Sequence, residues 1–307
     1  MKVFLTNLDK GDGLVFAFTE PFEKFVEVVP IEQADYIFVI LMNRVGWTLD
    51  EVAAKAVMAS DKPKIVFDYW EIDWHTPSIN PPHGVLPELF QWKAYFKRHL
   101  QAEKVDPFDF YAGGSIYPID FYNHLTWPTL DSFDEFQARP IDILMTYGLS
   151  HPMRPAVHAS LLAACHDYGW TFITKPEHML KEEPPFVVLL HTPHYDRLPM
   201  DELMLLQSQA KITISLPGAG TKCFRHSEAP INSVMAMPKD NLAWQAGWDG
   251  SNSIQVESTP EKWPLALKVE IDHPQNLYQL YLNGTKRAME IKPDKVWNEY
   301  LKPIITI

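Results

Sequence analysis

Short apolar runs alternate with polar, turn-rich stretches along most of the chain. Residues 2–7 read as a buried strand that opens into the loop Asp9-Lys10-Gly11-Asp12-Gly13. A helix is expected to begin near Pro21, because proline is tolerated in a first helical turn. A short strand follows at 26–29. Residues 34–41 then form a continuous apolar run, the pattern of a parallel strand buried on both faces. Thr48-Leu49-Asp50-Glu51 caps a predicted helix that runs to Ala59. Further strands are expected at 64–69 and 93–100, on either side of a proline-rich loop at 77–87. Residues 101–138 read as irregular and rich in Pro, Asp and aromatics, which places a domain boundary near residue 130.

The alternation then starts again. A strand at 140–147 ends at Gly148, and a helix at 155–168 is closed by Gly169. Strands are expected at 170–174 and 186–190, a helix at 200–210, a strand at 211–216 and a turn at 217–220. The next helix is limited or kinked by Pro230, and a strand follows at 233–237. The tail is helical at 275–288 and 295–302. This order predicts an α/β protein with two Rossmann-like domains facing a cleft. Residues 1–130 form the first, residues 131–290 the second, and a C-terminal helix at 291–307 crosses back to the first.

Composition narrows the class. The chain has 307 residues, 46% hydrophobic and 21% charged, as expected for packed globular domains. The 10 Trp, 12 Tyr and 17 Phe supply core material or rings that stack on a sugar or a base. A formal charge of −12 argues against a dominant grip on nucleic acid, while leaving room for a local basic patch. Cys165 and Cys223 are the only cysteines, too few for a disulfide framework or a zinc cluster. The longest apolar stretches, such as 36–42, are too short to span a bilayer, and the N-terminal residues read as a strand instead of a signal peptide. A soluble, cytoplasmic protein is expected.

The candidate chemistry lies at Leu216-Pro217-Gly218-Ala219-Gly220-Thr221, where a strand turns into a helix. Gly218 and Gly220 let the backbone approach a ligand closely, and the free N–H groups at the helix start favour an anion. Lys222 and Arg225 add positive charge at the same end. Continued helix puts Thr221, Arg225 and Glu228 on one face at i, i+4 and i+7, so that a carboxylate can take ribose hydroxyls while Arg225 sits at phosphates. An ordinary βα turn with a surface Arg–Glu pair is the alternative. A dinucleotide fingerprint does not fit, since Cys223 stands where a third small residue is needed, and no P-loop is present.

The segment 215–237, S-L-P-G-A-G-T-K-C-F-R-H-S-E-A-P-I-N-S-V-M-A-M, resembles the donor motif of exostosin-like and family-1-like GT-B glycosyltransferases. The resemblance implies a nucleotide sugar on the C-terminal domain, an acceptor on the N-terminal domain, Glu228 on the ribose and Arg225 on the phosphates. It also implies metal-independent transfer, with no cofactor beyond a UDP-linked donor as co-substrate. Pro230-Ile231-Asn232-Ser233 departs from the family pattern, which affects the expected helix length.

Supporting positions follow. Arg154, in the loop after the strand at 140–147, is a diphosphate candidate. Tyr195, in His191-Thr192-Pro193-His194-Tyr195, is a candidate for stacking on the base. His191 and His194 lack a third ligand nearby, so a metal is not expected. Asp249 and Asn252, in a turn after the last predicted strand, are candidates for sugar hydroxyls, with a plain turn as the other reading. Asp12 is the first choice for a general base, ahead of Asp68, Glu71, Asp73 and His75, and Lys97 and Arg98 are candidate cations for the leaving diphosphate. The acceptor could be a glycan, a protein or a hydroxymethylated base of viral DNA. Two other readings stand beside the transferase. One is a non-catalytic nucleotide- or sugar-binding protein. The other is a different Rossmann enzyme, which would need a glycine fingerprint that residues 9–13 do not supply.

Overall fold

The computed structural model describes residues 1–7, 22–41, 51–68, 92–97, 115–118, 130–147, 151–176, 187–189, 200–217, 225–239, 247–290 and 292–307. Among them, the strands form two six-stranded sheets, and every pairing is parallel. The chain divides into two compact units. One comprises Met1–His124, Leu242–Ala246 and Ile291–Ile307, the other Leu125–Asn241 and Gly247–Glu290.

The first unit contains β1 (Lys2–Asn7), β2 (Glu27–Val28), β3 (Tyr36–Leu41), α1 (Glu51–Ala59), β4 (Lys64–Asp68), β5 (Ala94–Lys97) and β6 (Ser115–Pro118). Its sheet order is β2-β1-β3-β4-β5-β6. The apolar run of β3 is central for the reason its sequence suggests: Ile37, Phe38, Val39 and Ile40 are all fully buried. Phe67 of β4 stacks on Phe96 of β5 with centroids 5.1 Å apart. Where a helix was expected after Pro21, the chain makes a 3-10 turn at Glu23–Phe25. β6 falls in the stretch expected to be irregular.

The C-terminal helical run, residues 293–306, belongs to this unit. Val296, Trp297, Leu301 and Ile305 enter the same core as Val3, Phe22 and Phe38. Trp297 lies flat on Phe25, with centroids 5.4 Å apart and planes 8° from parallel. Its middle, Val296–Leu301, is a π-helix.

The second unit starts with α2 (Phe133–Gln137), whose Ser132 and Glu135 form a capping box. It continues through β7 (Ile141–Tyr147), α3 (Met153–Tyr168), β8 (Phe172–Pro176), β9 (Val187–Leu189), α4 (Met200–Gln209), β10 (Ala210–Ile214), α5 (Arg225–Asn232), β11 (Val234–Pro238), β12 (Ile254–Val256), α6 (Trp263–Ile271) and α7 (Pro274–Glu290). Gly169 closes α3 in the left-handed conformation, φ 66°, with its N–H on the Cys165 carbonyl. Its apolar core joins Ile143 and Met145 of β7, Ile212 and Ile214 of β10, and Leu277, Leu280 and Tyr281 of α7. The α7 residues recur at helical spacing and give that helix one buried face.

The sheet order here is β12-β11-β10-β7-β8-β9. The chain runs outward from β7 through β8 and β9, returns to lay β10 beside β7, and runs outward the other way. The connections leaving β7 and β10 therefore depart in opposite directions. The point outside the carboxyl ends of these two strands is where open α/β sheets bind ligands. In the first sheet the order reverses between β1 and β3.

Candidate functional site at the β7–β10 strand reversal

Parallel pairing sets β7 and β10 level. Ile143 lies opposite Ile212, and Leu144 opposite Thr213. The chain leaving β7 and the chain leaving β10 therefore emerge side by side. Arg154, in the first turn of α3, ties them together. Its Nε donates to the Pro217 carbonyl at 2.7 Å and its Nη2 to the Leu216 carbonyl at 3.3 Å. Those carbonyls stand immediately before Gly218 in sequence, so the arginine fixes the path of the chain leaving β10.

His151 precedes α3. Its Nδ1 accepts the backbone N–H of Met153 at 3.2 Å, and its carbonyl accepts that of Arg154 at 3.1 Å. Burial, and then the nearby Arg154 charge, hold the imidazole below its ordinary pKa. Tyr147 ends β7 at the same edge. Burial pushes its phenol up to about 12 against the opposing pull of Arg154, so it stays neutral. Behind it lies His158, one turn beyond Arg154 on α3 and buried between the rings of Tyr147 at 5.6 Å and Phe172 at 5.7 Å. The His158 Nε2 has no hydrogen-bond partner among the described residues, and desolvation lowers its pKa.

Glu228 sits in the first turn of α5 and is 5% exposed. A carboxylate this close to a helix start is favoured by the backbone dipole, and a buried one is kept only where other groups compensate it. Other polar residues of β10, α5 and the chain just after each are buried too: Thr213, Ser215, Asn232 and Ser233. Ser233 Oγ pairs with Thr213 Oγ1 at 2.7 Å and lies 3.0 Å from the Ala229 carbonyl. Pro230 lies inside α5, which ends two residues later at Asn232. The proline thus limits the helix without removing Glu228 from it.

The end of α5 is held by a residue that the sequence pattern does not single out. Arg139, just before β7, is 8% exposed. Its Nη1 donates to the carbonyls of Ala210 and Asn232, each at 2.6 Å, and its Nε and Nη2 reach Asp131 at 2.9 and 2.8 Å. The guanidinium carbon lies 4.8 Å from both the Phe136 and Tyr281 rings. One cation thereby joins the start of β10 to the end of α5. Nothing in the local sequence signals this, because its partners lie as many as 93 residues away.

Asp249 and Asn252 precede a further strand, β12, that the periodicity does not reveal, and β12 enters with Ile254 level with Ala236, which is itself level with Ile214. Asp249 Oδ1 accepts from the backbone N–H and hydroxyl of Ser251, which hold its carboxyl below the usual range. Asn252 bridges the Asp249 N–H and the Gly247 carbonyl. Both side chains thus hold the turn together.

Asp12, Tyr195, Gly218, Gly220, Thr221 and Lys222 lie outside the described residues, as do His191, His194, Glu71, Asp73, His75 and Arg98. Arg225 opens α5, with only its backbone described. Among the described residues, no group of three or more His, Cys, Asp or Glu could hold a metal ion, and no helix is long and apolar enough to cross a membrane. Cys165 is buried, and desolvation raises its thiol to about 12.

Two parallel-stranded α/β units, with the C-terminal run returning to the first, constitute the GT-B fold, and solved structures covering the whole chain share it. HepE from Anabaena in complex with UDP matches with a TM-score of 0.64 at 11% identity, covering 100% of both chains. An alpha-glucosyltransferase in complex with UDP and a 13-mer DNA containing a HMU base gives 0.63 at 9% identity, covering 100% of this chain and 99% of that one. TarM gives 0.57 at 10% identity over 87% of this chain, which spans only 54% of TarM. At such identities the likeness is one of fold. No family model matches the chain, and no curated protein sequence matches it.

Proposed function

We propose that this protein is a glycosyltransferase that moves a sugar from a UDP-linked donor to an acceptor hydroxyl, with the donor held at the β7–β10 reversal. The observation that carries the reading is the convergence there of three features. The Arg154 guanidinium anchors the chain just before Gly218. The next described element is a helix, and its first turn bears the buried carboxylate of Glu228. In this reading the turn and the start of α5 take the diphosphate, Arg225 adds charge to it, and Glu228 accepts the ribose hydroxyls. Gly218, Gly220, Thr221 and Lys222 line the diphosphate, and Tyr195 stacks on the base. Support comes from full-length fold neighbours solved with UDP or UDP-glucose.

Asp12, in the segment after β1, is proposed as the group that takes the acceptor proton. The transfer is proposed to need no metal. An acceptor panel should include hydroxymethylated DNA beside glycans and proteins, because one full-length neighbour was solved with a modified DNA.

Calorimetry with UDP and a panel of UDP-sugars, and donor hydrolysis with and without EDTA, test the reading. UDP should bind, hydrolysis should persist in EDTA, and Glu228→Ala should weaken UDP by about tenfold or more. A wild-type protein that binds no nucleoside diphosphate ends the reading, and binding without turnover of any donor favours a non-catalytic role.

A further inference from the structure

Four hydrogen bonds and two rings fix the Arg139 guanidinium. Nη1 donates to the carbonyls of Ala210 and Asn232, Nε and Nη2 donate to Asp131, and the guanidinium carbon lies over the Phe136 and Tyr281 rings. Asp131 is held in turn, because Tyr278 donates its hydroxyl to the Asp131 carbonyl at 2.9 Å. A planar fork bound along its edges and across its faces has one orientation. For stability alone a cation only 8% exposed is a poor choice, since leaving water costs about what its partners return. What it supplies is direction.

We infer that Arg139 is a positioning residue for Glu228. By holding the end of α5 to the start of β10 it sets where the carboxylate stands, and so how well the protein tells a ribose from a sugar lacking its hydroxyls. This rests on the donor site proposed above, with Glu228 on the ribose.

The helix needs such an anchor. α5 has eight residues, Arg225–Asn232, and Pro230 removes one of its few i→i−4 bonds. A helix this short takes its placement from tertiary ties more than from its own ladder. Asn232 is its last residue, so its carbonyl is one of the acceptors that a helix end leaves without an internal partner. A cation there also suits the negative end of the backbone dipole. Glu228 stands one turn earlier, about 6 Å along the axis. A second tie lies just beyond the helix, where Ser233 Oγ meets Thr213 Oγ1 at 2.7 Å. Ala210 and Thr213 both belong to β10, so both ties fasten α5 to the same strand. The chain leaving β10 is the one that Arg154 grips at Leu216 and Pro217. Glu228 and the chain before Gly218 are thereby both referenced to β10.

The test compares two nucleotides that differ only in the ribose hydroxyls. Affinities for UDP and 2′,3′-dideoxy-UDP are measured by calorimetry for wild type, Arg139→Met, Arg139→Lys and Asp131→Asn, each well below its own Tm. Wild type should prefer UDP by about tenfold or more. Arg139→Met removes both carbonyl bonds, and the preference should fall to about twofold or less. Arg139→Lys keeps the charge without the fork, so its preference should fall as well, and it decides the matter if the methionine variant does not fold. Asp131→Asn is the control for lost stability. It should lower Tm while leaving the carbonyl bonds and the wild-type preference intact. An unchanged preference in the Arg139 variants makes the arginine merely structural and overturns the inference. An equal fall in Asp131→Asn overturns it too, since the loss then follows stability. A wild type that binds UDP and its dideoxy form alike takes Glu228 off the ribose and ends this inference while the donor site stands. A wild type that binds no nucleoside diphosphate removes both.

Discussion

The Arg154 guanidinium donates to the Pro217 carbonyl at 2.7 Å across 63 residues of sequence. This bond and its companion to Leu216 connect the exits of two neighbouring strands, so the path of the chain leaving β10 depends on a side chain from a different βα unit. Arg154→Ala should weaken UDP binding by about tenfold, roughly one charge-assisted hydrogen bond lost from the framework. Arg154→Lys should recover little, because an ammonium lacks the fork that spans two carbonyls. Calorimetry at fixed ionic strength checks this, and full affinity in the alanine variant would refute the bracing role.

Arg139 predicts a stability effect. Its replacement by Met removes the bonds to the buried carbonyls of Ala210 and Asn232 and leaves Asp131 without its cation. A loss of about 2–4 kcal/mol is expected, read as a lower urea midpoint with an unchanged m-value. A midpoint within error of wild type would show that the cluster contributes nothing net.

Acid should destabilise the second unit through His158. Its folded pKa lies below the ordinary 6.5, because burial disfavours the charged ring. Above 6.5 the group is neutral both folded and unfolded, and its contribution to stability is at its full value. As pH falls below 6.5 the unfolded chain takes up the proton first, so stability declines through the folded pKa. His158→Leu also removes the unpartnered Nε2. The variant should therefore gain more Tm over wild type at pH 5.5 than at pH 8, and parallel Tm–pH curves would count against this source of acid sensitivity.

Gly284 offers a steric test. A Cβ built there would lie 2.8 Å from the Asn252 carbonyl oxygen. Gly284→Ala should cost about 1–3 kcal/mol, since backbone has to move. Donor affinity should hold, because the Asp249 and Asn252 side chains are spent on the turn itself. A coupled loss of UDP binding would mean that Asp249 or Asn252 reaches the ligand after all.

The fold was legible where burial leaves a mark on composition. β3 is a continuous apolar run, β7 is apolar at Ile141, Ile143, Leu144 and Met145, and the α7 stripe has helical spacing, so their burial follows from the residues alone. β6 and β12 were not legible. They are four and three residues long, too short for a period to show. The 3-10 turn at Glu23–Phe25 and the π segment at Val296–Leu301 depend on packing around Trp297, which local propensity does not encode. At the site, Glu228 was readable because it shares a helix with Arg225. Arg139 was not, since its meaning lies in carbonyls that sequence cannot place. The turn bearing Asp249 and Asn252 follows the last strand that periodicity reveals, and the short strand beyond it leaves no such mark.

Trp297 stacked on Phe25 makes the first unit discontinuous: its core takes Phe22 and Phe38 from one stretch of chain and Leu301 and Ile305 from another, with most of the second unit between them. Contacts of such large sequence separation cost the most loop-closure entropy, so this core is the slower of the two to close. Until it closes, its apolar sheet is the part of the molecule that a chaperone would find.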